Sequence, residues 1–159
     1  MANPEMALRW VVEILRKHEI PFQITGGLAA RAYGATRPLN DIDIDIPENR
    51  FDEIINEVSP YIIYGPAQFI DTNWNLYLMT LDYHRQKIDI CGAYKVKVRK
   101  TQSSRWRTMP ADLSKFERKK FFGFEVPVIT KEELIQYKTI IGRKVDQQDI
   151  DLIPNSRKL

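Results

Sequence analysis

The chain has 159 residues, 43% of them hydrophobic and 28% charged, with a formal net charge of +3. That length supports one domain with a real core rather than two, and so mild a charge permits an anionic partner without demanding one. A single cysteine, Cys91, excludes an intrachain disulfide, and there is neither a secretory leader nor an apolar run of the ~20 residues that span a bilayer, so a soluble cytoplasmic protein is expected.

Pro4 to Lys17 predicts an amphipathic helix, with Met6, Trp10, Ile14 and Leu15 recurring near the helical period and Pro4 suited to a first turn. Phe22 to Thr25 reads as a short strand that runs into Gly26-Gly27, and Leu28 to Tyr33 as a helix that stops at Gly34. Asp41 to Ile46 alternates Asp with Ile, the pattern of a strand with two chemically opposite faces, and Pro47 closes it. Arg50 to Val58 carries apolar Phe51, Ile54, Ile55 and Val58 and predicts a short helix. Tyr61 to Tyr64, Leu76 to Tyr83 and Lys87 to Ile90 read as strands, the last two joined through His84-Arg85-Gln86 as a hairpin.

Lys95 to Lys120 is basic and weakly patterned, and it yields no boundaries. Gly123 to Ile129 predicts a further strand. Thr130-Lys131-Glu132-Glu133 has the form of a capping box opening a helix through Leu134, Tyr137, Ile140 and Ile141. Asp146 to Ile153 reads as a last short helix and Asn155 to Leu159 as a frayed tail. With no repeat and no low-complexity linker, one α/β domain over 1–159 is the expectation, with core motifs in 22–90 and a helical segment in 130–153.

The carboxylate row needs a reason. Same-face residues on a strand lie roughly 6.5–7 Å apart, so Asp41, Asp43 and Asp45 repel and raise one another's pKa. Burial of Ile42, Ile44 and Ile46 would hold those acids on an ordered surface rather than a loop. A hydrated acidic face is one outcome; a hard divalent cation, which prefers carboxylate oxygens, is the other. Gly27 stands 14 residues ahead of Asp41, in a glycine pair between a strand and a helix, where a phosphate could approach the backbone closely. Asp89, within Lys87-Ile88-Asp89-Ile90-Cys91, adds a third acid on another alternating strand. Three carboxylates from two strands can hold two ions. His18 and His84 lie outside these motifs, and no Gly-Lys-Ser/Thr phosphate loop is present.

The stretch Gly26 to Gly34, followed by Arg37 and Asn40-Asp41-Ile42-Asp43, then Lys87-Ile88-Asp89-Ile90, resembles the signature of the polymerase-beta-like nucleotidyltransferase superfamily. Within it, the chain is similar to the small bacterial branch of lincosamide nucleotidyltransferases and abortive-infection nucleotidyltransferase toxins; Leu134 to Lys138, Arg143 to Asp146 and Asp149-Ile150 are similar to the helical segment that follows their sheet.

The resemblance implies an α/β (α+β) fold: a mixed twisted sheet, helices packed mainly on one side, and short C-terminal helices. It implies that Asp41, Asp43 and Asp89 are metal ligands and catalytic carboxylates for Mg²⁺ or Mn²⁺. Gly26, Gly27, Arg37 and Lys138 would meet the nucleotide, and Asp45 stays unassigned between ligand and hydrated neighbour. The implied reaction moves a nucleoside monophosphate from a nucleoside triphosphate such as ATP to an acceptor hydroxyl, releasing pyrophosphate.

The acceptor is open between a small molecule, an RNA and a protein. Cationic antibiotics favour acidic linings, whereas Arg105-Trp106-Arg107 and the lysines around it are basic. A catalytically silent nucleotide-binding module of the same fold and an RNA-directed toxin are the competing readings, and both a monomer and a homodimer fit the sequence.

Overall fold

The structure is a computed structural model that describes residues 1–103 and 105–154; the expected tail at Asn155 to Leu159 lies outside the described residues. Helix α1 (Pro4–Lys17) starts where the Asn3 side chain accepts a hydrogen bond from the Met6 N–H at 3.0 Å. It buries Ala7, Leu8, Val11, Val12, Ile14 and Leu15. The apolar stripe is therefore turned from the expected one: Met6 is exposed and Trp10 only partly covered. Small Ala7 lets the helix lie close on the sheet, and bulky Met6 is left at the margin.

Strand β1 (Gln23–Thr25) passes directly into α2 (Gly26–Ala32), and β2 (Asp41–Ile46) returns beside β1. The stretch expected as one helix from Arg50 divides into a 3₁₀ turn (Glu48–Glu53) and a single turn, α3 (Ile55–Val58). Both serve to place Phe51, Ile54 and Val58 in the core. Strand β3 (Ile62–Ile70) runs past the expected end at Tyr64, because a register shift accommodates Gly65-Pro66; such an interruption is tolerated where no neighbour pairs on the outer side. Strands β4 (Trp74–Tyr83) and β5 (Gln86–Gly92) form the expected hairpin.

The basic stretch contains two-residue strands β6 (Lys97–Val98) and β7 (Arg107–Thr108) and then β8 (Glu117–Phe121), which pairs with β9 (Phe124–Val128). Helix α4 (Lys131–Ile141) starts at Thr130 as expected, its Oγ1 accepting from the Glu133 N–H at 3.2 Å, while the Glu133 carboxylate of the expected capping box lies 3.5 Å from Lys115 Nζ; the helix ends at Gly142 with φ +66°. Helix α5 (Lys144–Leu152) begins two residues earlier than expected because Asp146 caps it from within, accepting the Arg143 N–H.

Among the described residues the strands form one mixed sheet in the order β7-β6-β4-β5-β2-β1-β9-β8, with β3 also on β4. The β2–β5 and β1–β9 pairs are parallel and the rest antiparallel. One face carries the main core, in which Ile42, Ile44, Ile46, Met79, Leu81, Ile88 and Ile90 meet α1. A smaller cluster of Leu76, Leu78, Val96, Val98 and Ile141 lies apart from it. No helix among the described residues is long and apolar enough to cross a membrane.

Candidate active site

The alternation in β2 does what its chemistry demands: Ile42, Ile44 and Ile46 are fully buried, and Asp41, Asp43 and Asp45 line a cleft of about 900 Å³ on the other side. Parallel pairing sets Asp43 beside Asp89 of β5, and neighbouring strands are ~4.8 Å apart. Thr80 of β4, opposite Asp89 in register, donates its hydroxyl to Asp89 Oδ1 at 2.6 Å. All four aspartates and Gly26-Gly27 line the same cleft.

Burial pushes the Asp43 carboxyl from 3.8 to about 8, helped by the charges of Asp89, Asp41 and Asp45 and opposed by Lys138. Burial also lifts Asp45 to about 7, against the pull of the Gln23 amide N–H at 3.4 Å. Asp89 is raised by burial, with the Thr80 hydrogen bond working against that rise. A folded Asp43 that holds its proton to about pH 8 contributes stability that is whole below the unfolded value near 4 and is lost as pH rises through about 8. Metal-free Asp43→Asn keeps a neutral group there at every pH. Its melting temperature minus that of wild type should therefore widen by a few degrees between pH 5 and pH 8. A gap independent of pH in thermal melts would deny the buried, proton-holding carboxyl.

Gly26 is fitted to Asp43 twice over. Its φ of +61° is one that side chains rarely adopt, and a Cβ there would lie 2.1 Å from Asp43 Oδ2. Gly27 is looser: its nearest neighbours would be Leu39 at 3.6 Å and an Arg37 nitrogen at 3.7 Å. Gly26→Ala should cost about 1–3 kcal/mol in chemical denaturation, while Gly27→Ala should stay within about 0.5 kcal/mol of wild type. Equal losses at both positions would mean that the turn, and not the carboxylate contact, sets the requirement.

A charge network closes the α4–α5 side of the cleft. Arg37 grips Asp149 with two hydrogen bonds, at 3.0 and 2.9 Å. Lys138 Nζ lies 3.0 Å from Asp149 Oδ2 and 3.3 Å from Asp146 Oδ1. Arg143 holds Asp146 at 2.7 and 3.0 Å. Lys138, Asp146 and Asp149 are almost fully buried. Burial pushes Asp149 up, but hydrogen bonds from Arg37 and Lys138 overcome it and hold the carboxyl below its usual range. Three cations on two carboxylates leave a net positive charge on the wall facing Asp43.

Trp74, Leu76, Leu78 and Thr80 occupy alternate positions of β4 and line the cleft, with Phe69, Val96, Met109, Tyr137 and Ile140 around them. Trp74 is held on three sides. Its Nε1 donates to the Tyr137 hydroxyl at 2.5 Å, its backbone N–H to Asp71 at 2.8 Å, and the Arg143 guanidinium sits 4.5 Å over its ring.

The structure thus brings Asp41, Asp43, Asp45, Asp89, Gly26, Gly27, Arg37 and Lys138 to one cleft. Arg37 and Lys138 are engaged with Asp149 rather than free. Asp146 and Asp149, which carry that network, had no individual role in the sequence reading; on a helix they look like solvated acids, and only the bound cations distinguish them. The fit to a divalent metal is good in donor type, since the row supplies only carboxylate oxygens. Among the described residues no three His, Cys, Asp or Glu side chains already form a cage. A magnesium ion needs fewer, because it keeps waters and takes phosphate oxygens as ligands.

A nucleotidyltransferase fold is shared with known structures. A Thermotoga maritima protein, provisionally designated a nucleotidyltransferase, superposes with TM-score 0.72 at 23% identity over 95% of this chain and 93% of its own. The lincosamide antibiotic adenylyltransferase LnuA, in its lincomycin-bound structure, gives 0.64 at 14% identity over 98% and 99%. ANT(2'')-Ia in complex with adenylyl-2''-tobramycin gives 0.54 at 18% identity over 84% and 74%. No curated protein sequence matches the chain. Residues 7–153 match the family model for aminoglycoside-2''-adenylyltransferase, and the chain belongs to that family of nucleotidyltransferases.

Proposed function

We propose that this protein transfers a nucleoside monophosphate, with ATP the natural donor, to a hydroxyl of an acceptor in the cytoplasm, releasing pyrophosphate. The observation that carries this reading is the pairing of Asp43 with Asp89 across two parallel strands, with Asp43 packed against Gly26 at the floor of the cleft. Two neighbouring carboxyls, both raised by burial, Asp43 also by the charge of Asp89 and Asp89 by that of Asp41, are a poor arrangement for an empty structural surface and a good one for a cationic ligand. Family membership supports the same chemistry.

Asp41, Asp43 and Asp89 are the proposed holders of Mg²⁺ or Mn²⁺. When bound, such ions neutralise phosphate oxygens and make an acceptor hydroxyl more acidic. Gly26 and Gly27 give the phosphates close access to backbone, and the net positive wall of Arg37, Lys138 and Arg143 favours a polyanion there. Asp89, beside Asp43 on the neighbouring parallel strand, is the carboxylate proposed to take the hydroxyl proton. The acceptor oxygen then bonds to the α-phosphorus, the α–β bridging bond breaks, and its electron pair leaves with pyrophosphate. Asp45 lies deeper, against Gln23, and is assigned a supporting role at the base of the row.

The test is incubation with α-labelled nucleoside triphosphates, Mg²⁺ and a cell extract. A labelled product should form with wild type and vanish with Asp41→Ala. If both proteins label the same species equally, the assignment fails.

A further inference from the structure

The register of the central strands lays four side chains in one row across the sheet: Thr25 opposite Asp43, Asp43 beside Asp89, and Asp89 opposite Thr80. All four line the cleft. The row is symmetrical in composition, a carboxylate pair between two threonines, and asymmetrical in bonding. Thr80 Oγ1 donates to Asp89 Oδ1 at 2.6 Å, whereas no group among the described residues donates a hydrogen bond to Asp41 or Asp43. Of the three carboxylates assigned to the metal, Asp89 alone is tied to a protein donor. Asp43 is confined differently, by the close approach of Gly26.

Packing alone does not ask for a hydroxyl at this position. The other residues of β4 that line the cleft are Trp74, Leu76 and Leu78, and valine suits a half-buried strand position as well as threonine does. The backbone on either side of Thr80 is held, because Met79 and Leu81 are fully buried in the core. A β-branched side chain is also restricted at χ1. The hydroxyl is therefore presented from a rigid element, as a group that must orient another requires. Its distance is that of a hydroxyl on an ionised carboxylate, roughly 2.5–2.7 Å. A carboxylate bound at one oxygen cannot exchange its two oxygens without breaking that bond. Oδ1 is occupied; Oδ2, to which nothing donates among the described residues, is left for what enters the cleft.

Resting on the nucleotidyl-transfer reading above, we infer that Thr80 is a positioning residue of the reaction, holding Asp89 in one orientation and reserving Oδ2 for the metal ion and the acceptor hydroxyl. Thr80 acts through Asp89 and not on the substrate, since its one hydroxyl proton is already given to Oδ1. A cross-strand pair that merely joined β4 to β5 would give the same bond, so the two roles must be separated by what they change. A structural bond changes melting. An orienting bond changes how the carboxylate meets a cation, and it does so only while the carboxylate is there.

The experiment is a double-mutant cycle on the full chain, read as Mn²⁺ affinity by electron paramagnetic resonance with a non-hydrolysable ATP analogue present. Thr80→Val keeps the shape of the side chain and deletes the donor. It should weaken Mn²⁺ binding by roughly tenfold, the lower end of the loss seen when a group that orients a metal ligand is removed. Thr80→Ala, a second donorless variant, should do the same, and Thr80→Ser, which restores the donor, should recover most of the affinity. In an Asp89→Asn background, Thr80→Val should change Mn²⁺ affinity by less than about twofold, because its effect is carried by that carboxylate. In the labelled-product assay at saturating Mg²⁺, Thr80→Val should lower the maximal rate by roughly tenfold or more and leave the half-saturating nucleotide concentration unchanged. Wild-type Mn²⁺ affinity in both donorless variants, a serine no better than valine, or a full valine effect in the absence of Asp89 would overturn the inference. Failure of the nucleotidyl-transfer reading shows differently, as a wild type that binds no Mn²⁺ or binds it indifferently to Asp43→Ala, and it takes the inference with it.

Discussion

Asp43→Asn is expected to lower nucleotidyl transfer by about 10²–10³-fold or more, the loss seen when one preorganised electrostatic partner is removed, while the protein remains folded. The variant keeps the size and shape of the side chain that Gly26 packs against, so the close approach that leaves no room for a Cβ at Gly26 is unchanged. What it loses is the negative charge shared with Asp89, Asp41 and Asp45. Two readouts are needed together. Transfer of label from an α-labelled nucleoside triphosphate should collapse, and thermal melting without divalent ions should show a protein at least as stable as wild type. Retained turnover would remove Asp43 from the site. A collapsed fold would make it a packing residue whose charge is incidental.

Lys138→Met should cost about 3–5 kcal/mol of stability, the range for breaking one side of a buried ion pair. Its ammonium lies within 3.3 Å of both Asp146 and Asp149, and all three side chains are at most 4% exposed. Arg37 and Arg143 remain after the substitution, but each reaches only one of the two carboxylates. Lys138 is the residue that joins them. Denaturant titration should therefore show a large drop for Lys138→Met and a smaller one for Arg37→Gln, whose side chain is partly exposed. Replacing Lys138, Asp146 and Asp149 together by apolar or neutral residues should recover only part of the loss, because the partly exposed Arg37 and Arg143 then lose their carboxylates. Equal melting of wild type and Lys138→Met would make the lysine an ordinary surface cation.

The acid row was legible because β2 has two unlike faces: every Ile is buried and every Asp faces the cleft. Asp89 followed from the same alternation in β5. The apolar end of the cleft was not legible, and the reason is specific. Trp74, Leu76 and Leu78 on one face of β4 and Tyr77, Met79 and Leu81 on the other are all hydrophobic. A strand apolar on both sides gives no sign of which face meets the core and which meets a ligand. Strands β6 and β7, with two residues each, are too short for any period. Helix α1 was recognised but turned, since Met6 and Ala7 are both acceptable to a helix and only packing chooses between them. The Arg37–Asp149 pair spans 112 residues, a distance at which neither spacing nor composition reports contact.

That pair also orders events in time. Every strand of the sheet precedes Lys144–Leu152 in the chain, so during synthesis the carboxylate floor can assemble while Arg37 and Lys138 still lack their anchors. The cationic wall sets only when the final helix docks. A proteolytic cut in the Gly142–Arg143 joint would then spare the floor but strip Arg37 and Lys138 of the two carboxylates that hold them, leaving a sheet whose aspartates stay in register opposite cations no longer fixed in place.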